Sequence, residues 1–561
     1  MAGSTDRLLV TVTMLDRPRL IALILSALAG TAAGLLLPGA LAAAVDAVVA
    51  GRPSLPEVSW LLVLGATQIA VGLIGGILTA RMTAFATAWL RRKLTDRYLA
   101  LGTRSTFADG DAISRLTGDC TGAGLVASVV VQLGSSTLIS GGAVVLLAWM
   151  DWRLALVFLG SIPFALMLAR THLKNTAEDV LTYQEVSGEL AARMVDAVAG
   201  LRTIAASGTA DREAERVLRP LPKLSLAGRG MWRTQARMVW RSGLLLPAVE
   251  IAVLAAAGFG VLEGRLSVGQ VLAALGYVAL GMSMVTQIPL LTTLSRARSC
   301  ARRITEVLAS PVPEPGELGV VPGRGTLELR GVTVEGALRD VDLVVRGGRF
   351  TAVVGRSGSG KSALVNVLGG LLSPDEGAVT LDGRQLADLR PYELRAVIGF
   401  AFERPALLGA TIGDAVGYGS WAGEAAVRAA CQSAQVDDLI VRLPNGYRTP
   451  LSETPLSGGE AQRIGLARAI AHAPRVLILD DATASLDTVT EAAVEAAIER
   501  TLPGRTRVVV THRAATAARA DAVVWLDDGR VRAVGTHDEL WQDPAYQGVF
   551  TGSPANTEGE Q

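Results

Sequence analysis

Six apolar stretches dominate the first 300 residues of this 561-residue chain, and five of them are long enough to cross a lipid bilayer. The fourth is shorter, but its apolar character continues weakly beyond its end. A transmembrane helix needs about 20 mainly apolar residues. Because backbone groups in lipid must hydrogen-bond within their own segment, we expect each stretch to be helical. The candidate spans are Leu20–Val49, Val58–Ala80, Leu125–Met150, Leu154–Ala169, Ser242–Leu262 and Val268–Leu294.

The connections between these spans predict their orientation. Arg81–Gly124 and Arg170–Arg241 are long and rich in arginine, whereas the short connections hold only Arg52, Arg153 and Arg265. By the positive-inside rule, the long connections and both termini face the cytoplasm. Helical spacing of their apolar residues predicts helices that project towards the second half of the chain. The alternative is two cytoplasmic loops without a mechanical role.

Overall charge and cysteine content exclude some other classes of protein. The net charge of +1 gives no reason to expect a nucleic-acid partner. Cys120, Cys300 and Cys431 are odd in number and widely spaced. They predict neither a disulfide framework nor a metal site.

A glycine-rich loop in the second half indicates nucleotide binding. The apolar strand Thr351–Val354 leads into the sequence GRSGSGKS, and a predicted helix, Ser362–Leu371, follows it. Strand, G-x-x-x-x-G-K-S and helix are the context of a loop whose N–H groups surround phosphates. We expect Lys361 to pair with the outer phosphates and Ser362 to reach Mg²⁺. The expected nucleotide contacts here are Gly355, Arg356, Ser357, Gly358, Ser359, Gly360, Lys361, Ser362 and Ala363.

Two further strands end in residues suited to phosphate chemistry. The apolar segment Val476–Leu479 precedes Asp480, which can hold Mg²⁺, and Asp481, which is placed to act as a base on the attacking water. The segment Arg507–Val510 leads to His512. A lone histidine is more often structural, but at a strand end in an α/β nucleotide fold we expect it to face the γ-phosphate.

These residues carry a family resemblance, because the chain resembles an ABC transporter of the exporter type over nearly its whole length. The matching motifs in the second half are Gly355–Ser362, Leu456–Glu460 followed by Gln462 and Arg463, Asp480–Asp481, Ser485–Asp487 and His512. Those in the first half are Gly110–Leu116, Asp151–Leu154, Ser267–Val271 and Ala301–Ile304.

The resemblance implies a fold class: an all-α six-helix transmembrane domain followed by an α/β P-loop ABC ATPase domain. We expect the transmembrane domain over 1–309, a proline-rich linker over 310–325 and the nucleotide-binding domain over 326–551. The polar tail 552–561 is expected to be disordered.

The resemblance also implies an assembly. Two such half-transporters pair, and each ATP lies between the phosphate loop of one chain and residues Ser457, Gly458, Gly459 and Glu460 of the other. The catalytic residues are then Asp481 and His512, and the Mg²⁺ ligands are Ser362, Glu403 and Asp480. Thr106–Asp111 and Ala206–Arg212 match the coupling helices that touch the nucleotide-binding domains.

Four departures from the family pattern affect this assignment. Asp481 stands where the family has glutamate, and Glu403 and Glu460 each replace a glutamine; no aromatic residue for adenine stacking occurs in Val332–Ala337. The shorter Asp481 draws its carboxylate back, and a displacement of about 1 Å can lower a rate roughly 10²-fold. We therefore expect a slow site in an asymmetric heterodimer. The alternative is a homodimer with two slow sites.

The predicted function is ATP-driven export of a small amphipathic molecule, lipid or natural product across a bacterial plasma membrane. Glu250 lies within a predicted span, so it is a candidate substrate anchor or a glutamate satisfied by neighbouring helices. One alternative keeps the fold but imports a siderophore-like compound. Another is a nucleotide-gated regulatory or channel-like membrane protein with little turnover. The six spans exclude a soluble ABC protein that acts on RNA.

Overall fold

The computed structural model describes residues 2–52, 55–105, 107–283, 287–312, 315–419 and 422–551. The chain divides into two compact units, Met1–Pro311 and Val312–Gln561. The first unit is helical, and the second contains two β-sheets together with helices. The predicted fold class is therefore confirmed. The expected disorder of the tail concerns 552–561, which lie outside the described residues.

The first unit consists mainly of helices, which overlap each of the six predicted spans within the described residues. Helices α3, α7 and α10 contain 47, 48 and 42 residues, which at 1.5 Å per residue is roughly 60–70 Å, about twice the hydrocarbon thickness of a bilayer. The helices are α1 (Ala2–Thr13), α2 (Arg17–Val49), α3 (Leu55–Leu101), α4 (Asp109–Ser114), α5 (Cys120–Gly124), α6 (Val126–Met150), α7 (Trp152–Ala199), α8 (Leu201–Ser207), α9 (Ala210–Leu218), α10 (Leu221–Leu262), α11 (Val268–Gly281) and α12 (Ile288–Ala309).

Length and composition single out the membrane-crossing segments among the described residues. Arg17–Val49, Leu55–Leu101 and Gly110–Met150 are each long and apolar enough to span a bilayer. Three shorter apolar helical stretches fall on the fourth, fifth and sixth predicted spans; these are Trp152–Phe164, Leu246–Leu262 and Val268–Gly281. The sixth prediction ran on to Leu294, and 284–286 within it lie outside the described residues.

Close helix contact in the first unit depends on small residues where α11 crosses α2. A side chain at Gly269 would lie 2.2 Å from the Ala42 carbonyl oxygen, and one at Gly276 would lie 2.9 Å from the ring of Pro38. These two glycines therefore let the backbones approach, as small residues do between membrane helices. Asp46 of α2 completes the contact by accepting hydrogen bonds from the Ser267 hydroxyl (2.5 Å) and the Gly269 N–H (2.8 Å).

The second unit contains two sheets that share a hydrophobic core. A four-stranded antiparallel sheet has the order β2-β1-β4-β5, and a six-stranded sheet has the order β10-β9-β3-β8-β7-β6. In the larger sheet, neighbouring strands are parallel except β10, which is antiparallel to β9. The strands are β1 (Leu327–Val334), β2 (Leu338–Val345), β3 (Phe350–Val354), β4 (Glu376–Leu381), β5 (Arg384–Gln385), β6 (Ile398–Ala401), β7 (Val476–Asp480), β8 (Thr506–Val510), β9 (Ala522–Asp527) and β10 (Arg530–Gly535).

Helices surround the larger sheet, and one differs from its predicted bounds. The helix after the glycine loop ends at Leu368 rather than Leu371, because Gly370 adopts φ 62°, which a helix does not continue through. The helices are α13 (Lys361–Leu368), α14 (Pro391–Val397), α15 (Ile412–Gly417), α16 (Glu424–Ser433), α17 (Asp437–Arg442), α18 (Gly458–Ile470), α19 (Thr488–Thr501), α20 (Ala514–Ala518), α21 (His537–Leu540) and α22 (Pro544–Thr551).

The register of the parallel strands brings distant parts of the chain to one edge. Val510 of β8 lies beside Val353 of β3 on one side and Asp480 of β7 on the other. The carboxyl ends of parallel strands meet at the same edge, where ligands bind in open α/β sheets. The segments that leave these strands therefore converge on the glycine loop.

Candidate nucleotide-binding site

The glycine loop between β3 and α13 has a backbone that requires its glycines. Gly358 and Gly360 adopt φ 83° and 97°, a region that disfavours side chains. A side chain at Gly360 would lie 2.5 Å from the Ala337 carbonyl oxygen. Ser359 is buried, and its hydroxyl oxygen has no hydrogen-bond partner in the described structure. Arg356 and Ser357 are exposed, and Ala363 is half-buried. The loop forms a cradle lined by backbone, which suits a chain of phosphates.

Lys361 begins α13 and extends back along the loop. It is only 7% exposed, and its Nζ donates to the carbonyl oxygens of Gly355 (2.9 Å) and Arg356 (2.8 Å). Burial lowers the pKa of Lys361, while the nearby Asp481 and Asp480 act to raise it. The ammonium group is thus held within the loop where phosphate oxygens would meet it.

Ser362 and Asp480 meet although 118 residues separate them. The Ser362 hydroxyl donates to Asp480 Oδ1 over 3.1 Å. Burial raises the pKa of Asp480, the Ser362 hydrogen bond lowers it, and the charges of Asp481 and Glu403 raise it further. A hydroxyl and carboxylates form an all-oxygen donor set of the kind that Mg²⁺ prefers, so these residues fit that ion. Among the described residues, no group of three or more His, Cys, Asp or Glu forms a metal site by itself.

Asp481 and His512 lie together at the ends of adjacent strands. Asp481 follows β7 directly and His512 comes two residues after β8, so the register places His512 Nε2 3.3 Å from Asp481 Oδ2. Burial raises the pKa of Asp481 against the opposing effects of His512 and Lys361. Asp481 has φ 47°, a left-handed conformation that aspartate tolerates better than most residues. The arrangement suits a base that takes a proton from water beside the phosphates.

Glu403 approaches the acidic pair from the loop after β6. Its side chain is 57% exposed, yet its charge acts on the pKa of both Asp480 and Asp481. Its backbone carbonyl accepts a hydrogen bond from Gln462 Nε2 over 2.7 Å. The structure therefore places all three predicted Mg²⁺ ligands at one edge of the sheet.

Ser457, Gly458, Gly459 and Glu460 lie on a different element, the N-terminus of α18. The Ser457 hydroxyl accepts from the Glu460 N–H (3.3 Å), and the Glu460 carboxylate accepts from the Ser457 N–H (2.7 Å). The hydrogen bond from the Ser457 N–H to the carboxylate, with a further one from the Ser457 side chain, lowers the pKa of Glu460. This reciprocal pair is a capping box, which a carboxylate completes as well as an amide does. Ser457 and Gly458 are exposed, and a side chain at Gly458 would meet open space.

Two functional candidates were not predicted from the sequence. Glu491, whose side chain is 4% exposed, accepts from the Thr483 hydroxyl (3.0 Å) and forms an ion pair with Arg513. Arg513 also donates to the Leu486 carbonyl over 2.7 Å. Together they hold the segment that follows Asp481. Arg513 directly follows the predicted site residue His512 in the chain, and this position could have indicated its place beside the site.

The first unit contains a charged cluster at one of the predicted coupling segments. Asp111 of α4 accepts from Arg115 Nε over 2.7 Å and pairs with Arg303 of α12. Arg303 also pairs with Asp119 (3.1 Å), and Arg115 pairs with Glu306 (3.2 Å). The cluster fixes α4 to α12, the last helix of this unit. Contact with a nucleotide-binding domain stays a prediction here; Thr106 lies outside the described residues.

The remaining predicted positions have the following surroundings. Glu250 lies half-buried on α10, next to the buried Val249 and one turn before the buried Val253. Its role stays a prediction. The predicted segment Ala206–Arg212 joins the end of α8 to α9. The segment Val332–Ala337, which lacks an aromatic residue for adenine stacking, runs from β1 into the turn before β2. In this turn the Glu335 N–H donates to Asp375 over 2.7 Å.

Comparison with known proteins gives consistent results over both units. Residues 338–484 match the family described as ABC transporter, and residues 20–285 match the ABC transporter transmembrane region. The ABC transporter ATP-binding protein RamA of Streptomyces coelicolor is 41% identical over 506 residues, covering 88% of this chain and 80% of that protein. An ATP-dependent lipid A-core flippase of Pseudomonas fluorescens is 29% identical, covering 88% of this chain and 84% of that protein.

A solved structure supports the fold. A bacterial Atm1-family ABC exporter with ATP bound superposes with a TM-score of 0.82 at 24% identity, covering 97% of this chain and 99% of that chain.

Proposed function

The chain belongs to the ABC transporter family, and from that premise we propose that it exports a small amphipathic molecule, a lipid or a natural product as one half of a dimeric transporter. Its ATP-binding domain is that of an ATPase coupled to transport, and its helical unit is a membrane-spanning exporter domain. A lipid A-core flippase among the relatives supports an amphipathic cargo. The arginine-rich connections support cytoplasmic termini in a bacterial plasma membrane.

One observation carries the dimer: the two nucleotide-contacting loops lie on separate elements. The phosphate loop is a cradle between β3 and α13, whereas Ser457 and Gly458 are exposed at the N-terminus of α18. A helix N-terminus presents free N–H groups that suit phosphate oxygens. An exposed second loop of this kind fits the outer side of an ATP held in another chain's cradle.

Ser362, Asp480 and Glu403 would hold Mg²⁺ beside the phosphates. When bound, the ion neutralises charge on the phosphate oxygens. Lys361 contributes a fixed positive charge to the outer phosphates, and Asp481 with His512 orients and deprotonates the attacking water. Every one of these groups reaches the site from the edge of the larger sheet.

We propose that the partner is a different chain. Asp481 is one methylene shorter than the glutamate the family places there, so its carboxylate lies farther from the water it must activate. The resulting site holds ATP longer than it turns it over, while Ser457–Gly459 complete a faster site on a partner that carries the glutamate. Co-purification tests this directly. A chain that forms stable homodimers and transports alone would contradict the heterodimer.

The experiment for transport uses the full-length chain, with its co-purified partner if there is one, reconstituted in liposomes. We expect ATP-dependent movement of a fluorescent phospholipid between the leaflets, or of an amphipathic dye across the bilayer. Liposomes supplied with a non-hydrolysable ATP analogue serve as the control without ATP hydrolysis. Opposite movement of substrate in vesicles of known orientation would indicate import instead.

Glu250 is the proposed substrate anchor within the membrane unit. A carboxylate in a span costs about 2.5–3.5 kcal/mol on insertion scales, so its retention calls for a polar neighbour or a cationic substrate. We expect Glu250→Gln to weaken transport of cationic amphipathic compounds and to leave neutral ones unchanged. Unaltered transport of every compound would remove the anchor from the proposal.

A nucleotide-gated membrane protein with little turnover is the second candidate. The observation that favours it is the acidic group at the site, because Asp481 and Glu403 replace the family's residues beside the phosphates. This candidate predicts ATP binding without measurable hydrolysis by any assembly. Turnover by the reconstituted transporter would exclude it.

A further inference from the structure

Gln462 of α18 uses both ends of its side-chain amide to join two loops. It is only 4% exposed; its Nε2 donates to the Glu403 carbonyl over 2.7 Å, and its Oε1 accepts from the Ser485 N–H over 3.2 Å. A carbonyl can only accept and a backbone N–H can only donate, so these partners permit one orientation of the amide. Glutamate or an apolar residue cannot satisfy both partners.

The two loops belong to the chain's own nucleotide site. Glu403 lies in the loop after β6, and its carboxylate raises the pKa of both Asp480 and Asp481. Ser485 lies in the segment Ala482–Asp487, which begins directly after Asp481. Gln462 is therefore hydrogen-bonded to two loops that flank the acidic pair.

The same segment is held from the histidine side of the site. Arg513, next to His512, donates to the Leu486 carbonyl and pairs with the buried Glu491. The Leu486 side chain is itself buried in the core. The segment is thus held at both flanks, by Asp481 at its start and by Arg513, the neighbour of His512, at Leu486.

The other end of this connection is the loop that serves a partner chain. Ser457 caps the helix that carries Gln462, five residues away, which is about 7.5 Å along a rigid helix. A side chain at Gly459 would lie 3.5 Å from the Ser485 carbonyl oxygen, so the start of α18 packs on the same segment. A shift of Ala482–Asp487 would therefore be passed along the helix to its exposed N-terminus.

We propose that Gln462 is a positioning residue that couples occupancy of the chain's own ATP site to the placement of Ser457–Gly459, the loop offered to the partner's ATP. The inference rests on the proposed dimeric function, because only a second chain gives that loop an ATP to contact. It assigns to one buried amide a route by which the two ATP sites of the transporter affect each other.

The test measures amide hydrogen exchange in the full-length chain, placed in nanodiscs that hold one copy each. With no partner present, any response of the loop must travel within the chain. On adding Mg²⁺ and ATP we expect slower exchange in the peptide over 355–362 and a clear change in the peptide over 456–463. Gln462→Met, which keeps the volume but neither hydrogen bond, should retain the first response and lose at least two-thirds of the second.

Arg468→Met is the matched control. Arg468 lies on the same helix and donates to the Ala406 carbonyl over 2.9 Å, in the loop that contains Glu403, without contacting Ala482–Asp487. We expect it to keep both responses. Gln462→Glu, which retains the acceptor for Ser485 but not the donor to Glu403, should give an intermediate response at 456–463.

Each outcome bears on one conclusion. An equal response of 456–463 in Gln462→Met and in the parent, or the absence of that response in the parent, overturns the coupling while the proposed transport function stands. Equal losses in Gln462→Met and Arg468→Met would reduce Gln462 to a packing residue. Absence of any response at 355–362 in the parent would instead contradict ATP binding and with it the proposed function.

Discussion

The phosphate loop and the loop at the start of α18 differ in how their residues are held. The phosphate loop is buried at Gly355, Ser359 and Lys361, and its shape depends on glycine conformations and on contacts across the sheet. Ser457 and Gly458 are exposed, and a capping box with Glu460 orders them at the start of the helix. The first loop is complete within one chain, whereas the second is prepared for a ligand that another chain holds.

The difference also separates binding from catalysis. The phosphate loop keeps every group that we expect to bind phosphate through a backbone N–H or a positive charge. At this chain's own site, the departures from the family pattern beside the phosphates are the acidic residues Asp481 and Glu403. The second loop keeps its serine and both glycines, and its one substitution, Glu460, completes the cap. The two loops can therefore be tested separately by variants that affect one and leave the other intact.

Loss of Lys361 is expected to give the largest effect. Lys361→Met removes the buried positive charge from the cradle, and we expect ATP hydrolysis at this chain's own site to fall by about 10²–10³-fold. The measurement is phosphate release at saturating ATP, with the partner's site silenced by Ser457→Ala in the parent and in the variant alike. Arg339→Met, which removes an exposed cation paired with the exposed Asp528, should remain within about twofold of the parent. Equal losses in both variants would show that overall charge, not the cradle, is responsible.

A longer acidic side chain at position 481 is expected to raise hydrolysis at this chain's own site, whereas loss of Lys361 lowers it. Asp481→Glu moves the carboxylate forward by one methylene, and we expect hydrolysis at this site to rise by about 10–10²-fold. Asp481→Asn keeps the size of the side chain but cannot accept a proton, so it should lower the rate. If Asp481→Glu leaves the rate unchanged, the shortened acid is not what limits this site.

Removal of the cap tests the second loop alone. Ser457→Ala loses the hydroxyl that accepts from the Glu460 N–H, at a cost of about 1 kcal/mol in helix stability. We expect a small decrease in Tm and a larger loss of hydrolysis at the partner's site, while ATP binding to this chain's own cradle is unchanged. Ser457→Thr keeps a capping hydroxyl and should restore most of the stability. Weakened binding to the cradle would contradict the separation of the two loops.

The pH dependence at Asp481 is expected to give the smallest effect. Burial raises the pKa of Asp481 above its value in the unfolded chain, so the folded protein binds this proton more tightly. The resulting stability is present at low pH and is lost as pH rises from the unfolded to the folded pKa. Asp481→Asn should lack this change, which a series of Tm measurements across pH would show. Hydrolysis should fall as pH drops through the raised pKa, and parallel curves for parent and variant would contradict the assignment.

Local patterns in the sequence were enough to predict the apolar helices of the first unit and the glycine loop of the second. The apolar stretches are covered by helices because a segment in lipid must satisfy its own backbone. The glycine loop was predicted with its strand because its spacing is a property of neighbouring residues. The end of α13 was misplaced by three residues, since the left-handed conformation of Gly370 outweighed an apolar pattern that continues to Leu371.

What the sequence alone determined is therefore the helical first unit, the strand, glycine loop and helix, and the identity of the acidic residues, because each depends on residues close together in the chain. The tertiary structure decided which of them meet. Strand order β3-β8-β7 brings Ser362 to Asp480 and Asp481 to His512. Such contacts depend on parallel pairing between strands that are separated along the chain, which no local periodicity encodes.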